Sequence, residues 1–205
     1  MRKNQTAEVR KPEILENYYQ ILIQEGFEGA SIGKVAQRMG IHPSLIIHYF
    51  KTKANMTSEL VELMIEKYMA PEMLQFHQIA DPEQRLQAMV DIIFSFEWSR
   101  TLDPGLHFGF YYLSFRNPTI HKRYKEMIRG FRDYIVKELE QFRQAGVVRS
   151  PDLEKAADII VTLMEGMEFH AHFLADDKPF KEFADYAKKV VFTMLRNDRM
   201  PDETI

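Results

Sequence analysis

Apolar residues recur at spacings of three and four almost throughout the chain, and no stretch alternates apolar with polar between turn residues, so the pattern predicts an all-α protein. A first helix is expected from Pro12, with Ile14, Leu15, Tyr18, Tyr19, Leu22 and Ile23 on one face and Gly26 ending it. Ser31 suits the N-cap of a short second helix that turns Ile32, Val35, Ala36 and Met39 inward, and Gly40 suits the left-handed position that stops it. A third helix opens with Pro43 after His42 and runs to about Phe50. Thr52 then caps a fourth, from Lys53 to about Met69, with Pro71 interrupting it. Asp81-Pro82 opens a helix reaching about Arg100. Asp103-Pro104-Gly105 is a turn before the aromatic run Leu106 to Phe115, and Asn117-Pro118 starts a helix continuing to Gly146. Ser150-Pro151-Asp152 caps another to about Leu174, and the last spans about Pro179 to Arg196.

Without repeats, low-complexity tracts or a long linker, the helices divide into a small N-terminal domain over residues 1–52 and a larger one over 53–205, joined through the fourth helix. The absence of cysteine excludes disulfides, thiolate metal sites and a cysteine nucleophile. Met1 to Thr6 never enters a signal-like apolar stretch, and no segment approaches the roughly 20 apolar residues that span a bilayer, so a cytoplasmic protein with no membrane partner is expected. The net charge of −3 argues against nonspecific coating of nucleic acid, yet it is unevenly spread. Over the first part of the chain Arg2, Lys3, Arg10, Lys11, Lys34, Arg38, Lys51 and Lys53 outnumber Glu8, Glu13, Glu16, Glu25 and Glu28.

Catalytic apparatus is missing from the sequence: there is no nucleophile elbow, phosphate-cradling glycine loop, zinc-protease helix or dinucleotide fingerprint. No catalytic residue, cofactor or metal is therefore expected. Glu168, His170 and His172 are the nearest approach to a metal site. Residues two apart on a helix point about 200° apart, so only Glu168 and His172 share a face, too few ligands for an ion.

Three short helices with only Gly40-Ile41-His42 between the second and third match the spacing of a helix-turn-helix, whose tight turn sets the third helix across the second for entry into a major groove. On that third helix Ile46 and Phe50 share the inner face, leaving Ser44 and His48 opposite, flanked by Leu45 and Ile47. Two readings fit the apolar flank: contact with thymine methyl groups, or packing in an ordinary three-helix bundle. Spacing alone does not choose between them.

The segments Ser31-Ile32-Gly33-Lys34-Val35-Ala36, Met39-Gly40-Ile41 and His48-Tyr49-Phe50-Lys51-Thr52-Lys53 resemble the N-terminal signature of the TetR family of transcriptional regulators, a likeness that is detailed over roughly residues 10 to 60. The resemblance implies a repressor that holds a palindromic double-stranded DNA operator and is released by a small-molecule effector, with residues 53–205 serving as the effector-binding and dimerisation domain. It implies phosphate contacts from Ser31, Tyr49 and Lys53, and puts His42, Pro43, Ser44, Leu45 and His48 at the variable groove-reading positions. Ile47 stands where the family usually has a DNA-contacting tyrosine, and Leu45 where a small hydroxyl residue is common, so a more thymine-dependent readout is expected. Arg2, Lys3, Arg10 and Lys11 are expected to add salt-sensitive attraction from a basic arm.

For the larger domain the resemblance implies a homodimer through the last two helices. Ile159, Ile160, Leu163, Met164 and Met167, with Phe183, Tyr186, Val190, Val191 and Met194, offer more apolar surface than one inward stripe needs; monomer core is the competing reading. Effector contacts are expected among Glu97, Trp98, His107, Phe108, Tyr111, Tyr112, Phe115, Met164 and Met167, although an aromatic stripe equally suits plain packing. The rivals are a helical-bundle carrier or enzyme for a small molecule, an activator of the same fold, and a helical module that binds protein instead of duplex DNA.

Overall fold

A computed structural model describes residues 7–68, 76–95, 103–174 and 180–198, which form nine α-helices and, among the described residues, no strand. In chain order these are α1 (Ala7–Gly29), α2 (Ile32–Met39), α3 (Pro43–Phe50), α4 (Lys53–Tyr68), α5 (Pro82–Ile93), α6 (Pro104–Ser114), α7 (Pro118–Gln144), α8 (Leu153–Phe173) and α9 (Phe180–Arg196). Contacts divide the chain into two compact units: residues 1–69 with 102–127, and residues 70–101 with 128–205. The first unit therefore takes in α6 and the start of α7 besides α1 to α4.

In the first unit α1 begins at Ala7 and not at Pro12, which lies inside it. The reason is non-local. Arg10 pairs with Glu13 at 2.7 Å, and Lys11 reaches Glu59 on α4 with both carboxylate oxygens within 2.9 Å, so the turn before the proline is held by its own side chains and by a second helix. The inner face carries Ile14, Leu15, Tyr18, Ile21 and Leu22; Tyr19 is only half-buried and Ile23 faces outward. Gly26, with φ 69 and ψ 179, breaks the helix as its lack of a side chain permits. The turn after it brings Phe27 edge-on to Phe110 of α6, ring centroids 5.7 Å apart. A Cβ on Gly109 would lie 2.3 Å from the Phe27 ring, so α6 approaches α1 only because residue 109 is glycine. Tyr18 and Thr57 hydrogen-bond at 2.8 Å in the interior, and Thr57 donates to the Lys53 carbonyl at 2.9 Å. Since the threonine proton is thus used, Tyr18 is the donor of the buried pair. Burial, opposed by this bond, pushes the Tyr18 phenol upward.

The second unit is built around α5, the later part of α7, α8 and α9. Leu86, Met89, Val90 and Phe94 meet Phe131, Ile135, Leu139 and Phe142 of α7, together with Ala156, Ala157 and Ile160 of α8 and Ala184, Ala187, Val191 and Leu195 of α9. The alanines let the helices approach closely while the aromatic and branched residues fill the space between. Asp81 and Asp152 cap α5 and α8 by accepting the Gln84 and Lys155 amides at 2.8 and 2.9 Å. The α7–α8 turn is tied down where Arg149 and Ser150 donate backbone N–H groups to Leu195. Arg132 of α7 joins α8 through Glu154 and Asp158 at 2.8 and 2.7 Å, which hold its guanidinium firmly charged.

Candidate nucleic-acid interface

Short helices in water are marginal, so α2 and α3, of eight residues each, depend on their caps and on what they bury. Ser31 accepts the Lys34 amide at 3.3 Å and starts α2. Gly40 ends it in the left-handed region at φ 61 and ψ 38, with its N–H on the Gln37 carbonyl at 3.2 Å and the Ile41 N–H on the Ala36 carbonyl at 3.0 Å. Those two bonds are a Schellman motif, and they fix the direction in which the chain leaves α2. His42 then caps α3: its Nδ1 accepts the Ser44 amide at 3.3 Å and lies 2.8 Å from the Ser44 hydroxyl. With Nδ1 accepting, Nε2 carries the ring proton and is a donor. Pro43 occupies the first helical turn, where its missing N–H leaves nothing unpaired.

Ile46 and Phe50 bury themselves, while His42, Ser44, Ile47 and His48 are exposed and Pro43, Leu45 and Tyr49 are half-buried. The two members of the apolar flank differ in burial. Leu45 shares in the packing, whereas Ile47 leaves 46% of its surface free, a large aliphatic side chain on the outer face of a capped helix. Tyr49 meets His48 edge-on, centroids 5.3 Å apart.

The charges are arranged differently from the expectation. Arg10 and Lys11 belong to α1 and are neutralised by Glu13 and Glu59, so they form no free arm; Arg2 and Lys3 lie outside the described residues. Lys34 pairs with Glu25. Lys53 sends its ammonium to the Phe27 carbonyl at the end of α1, bracing α4 against α1, and retains further donor capacity, since an ammonium has three. Arg38 and Lys51, counted among the basic residues but given no contact from the sequence, are both exposed and bond neutral groups instead of carboxylates: Asn17 at 3.2 Å and the His48 carbonyl at 2.9 Å. Charge counting lists them, but only the structure separates cations with acidic partners from those without.

Lys51 forms the corner between α3 and α4 at φ 66 and ψ −51, and the Thr52 N–H reaches back to the Phe50 carbonyl at 2.8 Å, a γ-turn with positive φ. Thr52 then accepts the Asn55 amide at 3.1 Å and caps α4, whose first turn holds no acidic residue. The positive end of α4 and the exposed face of α3 meet at this corner, an arrangement suited to a polyanion.

The expected effector residues are spread over both units. Glu97 and Trp98 lie outside the described residues. His107, Phe108 and Tyr111 lie together on α6, with His107 centroids 5.2 and 5.3 Å from the other two and Tyr111 edge-on to Tyr124 at 5.1 Å. Tyr112 and Phe115 point outward, Phe115 with 75% of its surface free. Met167 is buried in the core of the second unit and Met164 packs against it. Glu138, which was not singled out, is a buried carboxylate on the same stripe of α7 as Ile135 and Phe142; a charged residue at that spacing within an apolar stripe is the sequence signal for it. Glu168 and His172 do share a face of α8, 3.8 Å apart, and among the described residues no three potential metal ligands gather. No described helix is long and apolar enough to cross a membrane.

A three-helix unit that presents one short, capped helix outward from a Schellman turn, beside cations free of carboxylate partners, defines a helix-turn-helix DNA-binding protein. Residues 14–60 match the model of the TetR family of bacterial regulatory proteins, and residues 81–197 match the tetracyclin repressor-like C-terminal domain. The chain belongs to the TetR family of transcriptional regulators. It is similar to the HTH-type transcriptional regulator BetI of Proteus mirabilis, 26% identical over 121 residues, a match spanning 57% of this chain and 60% of that relative. The fold is shared with a transcriptional regulator from Saccharomonospora viridis solved in complex with choline (TM-score 0.77, 18% identity, 91% of this chain and 96% of that one). A TetR regulator from Haloarcula marismortui is likewise similar (TM-score 0.74, 18% identity, 92% and 97%).

Proposed function

We propose that the protein is a cytoplasmic homodimeric repressor that occupies a palindromic operator and leaves it when a small-molecule effector binds the C-terminal domain. The observation that carries this reading is the outer face of α3, where His42, Ser44, Ile47 and His48 stand exposed on a helix whose direction is fixed at both ends. His48 and Ser44 read base edges, Ile47 meets thymine methyl groups, and Ser31, Tyr49 and Lys53, with Arg38 and Lys51 beside them, hold phosphates. One such helix reads only a few base pairs; two copies about one helical turn apart read a palindrome. The exposed Tyr186 and Val190 on α9, with Phe169 and Phe173 on α8, support pairing of the last two helices between subunits. Ile160, Met167 and Val191, named for that role from the sequence, are buried within the single chain and contribute core instead.

Release needs an effector with different affinities for the DNA-bound and free arrangements, and DNA must weaken effector binding by the same factor. Since the Saccharomonospora neighbour binds choline, a small organic cation is the first effector class to screen. The test is selection of bound duplexes from a random pool, followed by salt-dependent affinity of the winner. A palindrome is expected, with His48→Ala changing base preference by about 1–3 kcal/mol at one position per half-site and Lys53→Ala weakening all sequences alike. No enrichment by the folded protein, with or without choline, would remove the repressor reading and favour a helical carrier.

A further inference from the structure

Glu138 is 3% exposed, and its Oε2 has no hydrogen-bond partner. Oε1 has only a long bond from the Gln141 amide at 3.3 Å. Among the described residues, the group within 4 Å able to carry positive charge is His77, whose Nδ1 stands 3.9 Å from Oε2, beyond hydrogen-bond reach, while its Nε2 is engaged with the Tyr134 hydroxyl at 2.7 Å. The Arg85 guanidinium lies over the Phe142 ring. A buried carboxylate left this way lowers stability, and such groups persist where they serve another purpose. Around it the chemistry is aromatic. His77 stacks on Phe76 with centroids 4.5 Å apart and meets Tyr134 edge-on, and its side chain is 47% exposed, which makes it the accessible member of the group. Burial first, and then the Glu138 charge, push the Tyr134 phenol upward, so it remains a neutral hydroxyl beside the carboxylate.

A buried carboxylate oxygen with no hydrogen-bond donor, next to aromatic rings, is the combination that recognises a substituted ammonium, by Coulomb attraction to the charge and by cation–π contact with its surroundings. We propose that Glu138 is the anionic anchor of an effector subsite for a small organic ammonium ion, with His77 and Tyr134 as its aromatic wall. This rests on the effector-regulated reading above and deepens it, by naming the charge of the ligand and the residue that neutralises it.

The test uses the full chain and calorimetric titration with choline and with 3,3-dimethylbutan-1-ol, its uncharged isostere, at matched ionic strength. Choline is expected to bind the wild type at least about tenfold more tightly than the alcohol, and Glu138→Gln to weaken choline roughly thirtyfold or more while leaving the alcohol unchanged. Because the amide removes a buried charge, Glu138→Gln is expected to melt no lower than wild type, so lost binding is not lost folding. His77→Phe, which keeps an aromatic ring and removes the ring nitrogens, is expected to hold choline within about threefold. The inference is overturned if choline and the alcohol bind alike, if neither binds, or if Glu138→Gln binds choline as wild type does. Operator affinity measured on the same samples keeps the two readings apart: intact DNA binding with no preference for choline removes the anchor and leaves the repressor, and choline selectivity without DNA binding does the reverse.

Discussion

The pairs α2–α3 and α8–α9 satisfy their helices in opposite ways. In the first pair the helices are eight residues long, closed at their ends by Ser31, Gly40 and His42, and almost everything apolar is covered, Ile47 being the large side chain left outside. In the second they run to 21 and 17 residues and bury a stripe of small residues within the subunit, Ala156 and Ala157 on one, Ala184 and Ala187 on the other. Phe169, Phe173, Leu174, Tyr186 and Val190 remain exposed. An isolated exposed aliphatic residue is compatible with a wet, polar partner such as a DNA groove. Four large ones on two neighbouring helices, with Leu174 at the end of one, suit an apolar partner, because leaving them in water forfeits most of their burial energy. The short pair is closed by its own caps, and the long pair keeps an exposed apolar face.

The largest expected effect tests the second half of that contrast. Phe173→Glu combined with Tyr186→Glu places two charges on the uncovered face, Tyr186 being 65% exposed, without touching the core of the unit. The expected outcome is a folded monomer in sedimentation equilibrium at micromolar concentration, with operator affinity lower by roughly a hundredfold or more because the two half-sites are no longer linked. A variant that still sediments as a dimer and binds as before would show that the exposed aromatics are not the interface.

A smaller effect is expected where the first unit closes on itself. Gly109→Ala sets a Cβ against the Phe27 ring, which cannot retreat freely because it is packed edge-on against Phe110. Overpacking of this kind costs about 1–3 kcal/mol, and in a chain of this size each kcal/mol lowers Tm by roughly 2–4 °C. Adding Phe27→Leu should recover part of the loss, a coupling that a double-mutant cycle measures directly. Additive losses would mean that the two side chains do not meet.

The same contrast explains what was legible in the sequence. Ser31, Gly40, Pro43 and Thr52 act on their own neighbours, so their types and spacing were enough to place α2, α3 and the start of α4. The start of α1 was missed because Lys11 finds Glu59 across the unit, a contact that no local pattern encodes. For the same reason Arg10 and Lys11 looked like a free basic arm: charge is legible in a sequence, but pairing is not. The aromatic run on α6 was ambiguous because identical residue types do different work along it. Phe110 is packing beneath Phe27, Tyr111 meets Tyr124, and Tyr112 and Phe115 face outward. Glu138 was passed over on α7 although its position within the apolar stripe marked it.

The smallest expected effect separates holding from reading within the short pair. Lys51 adopts φ 66 with a full side chain, a conformation that glycine reaches without the steric cost. Lys51→Gly should therefore relieve strain worth on the order of 1 kcal/mol, partly offset by the greater freedom of glycine in the unfolded chain, and leave Tm equal to wild type or a few degrees higher. It also removes an exposed cation without a carboxylate partner at the corner where α3 meets α4. If that cation holds a phosphate, the slope of log affinity against log salt should fall by about one in each subunit, with the order of preferred sequences unchanged. A changed base preference would instead mean that the strained corner sets the angle of α3, so that rigidity and readout are one property of this turn.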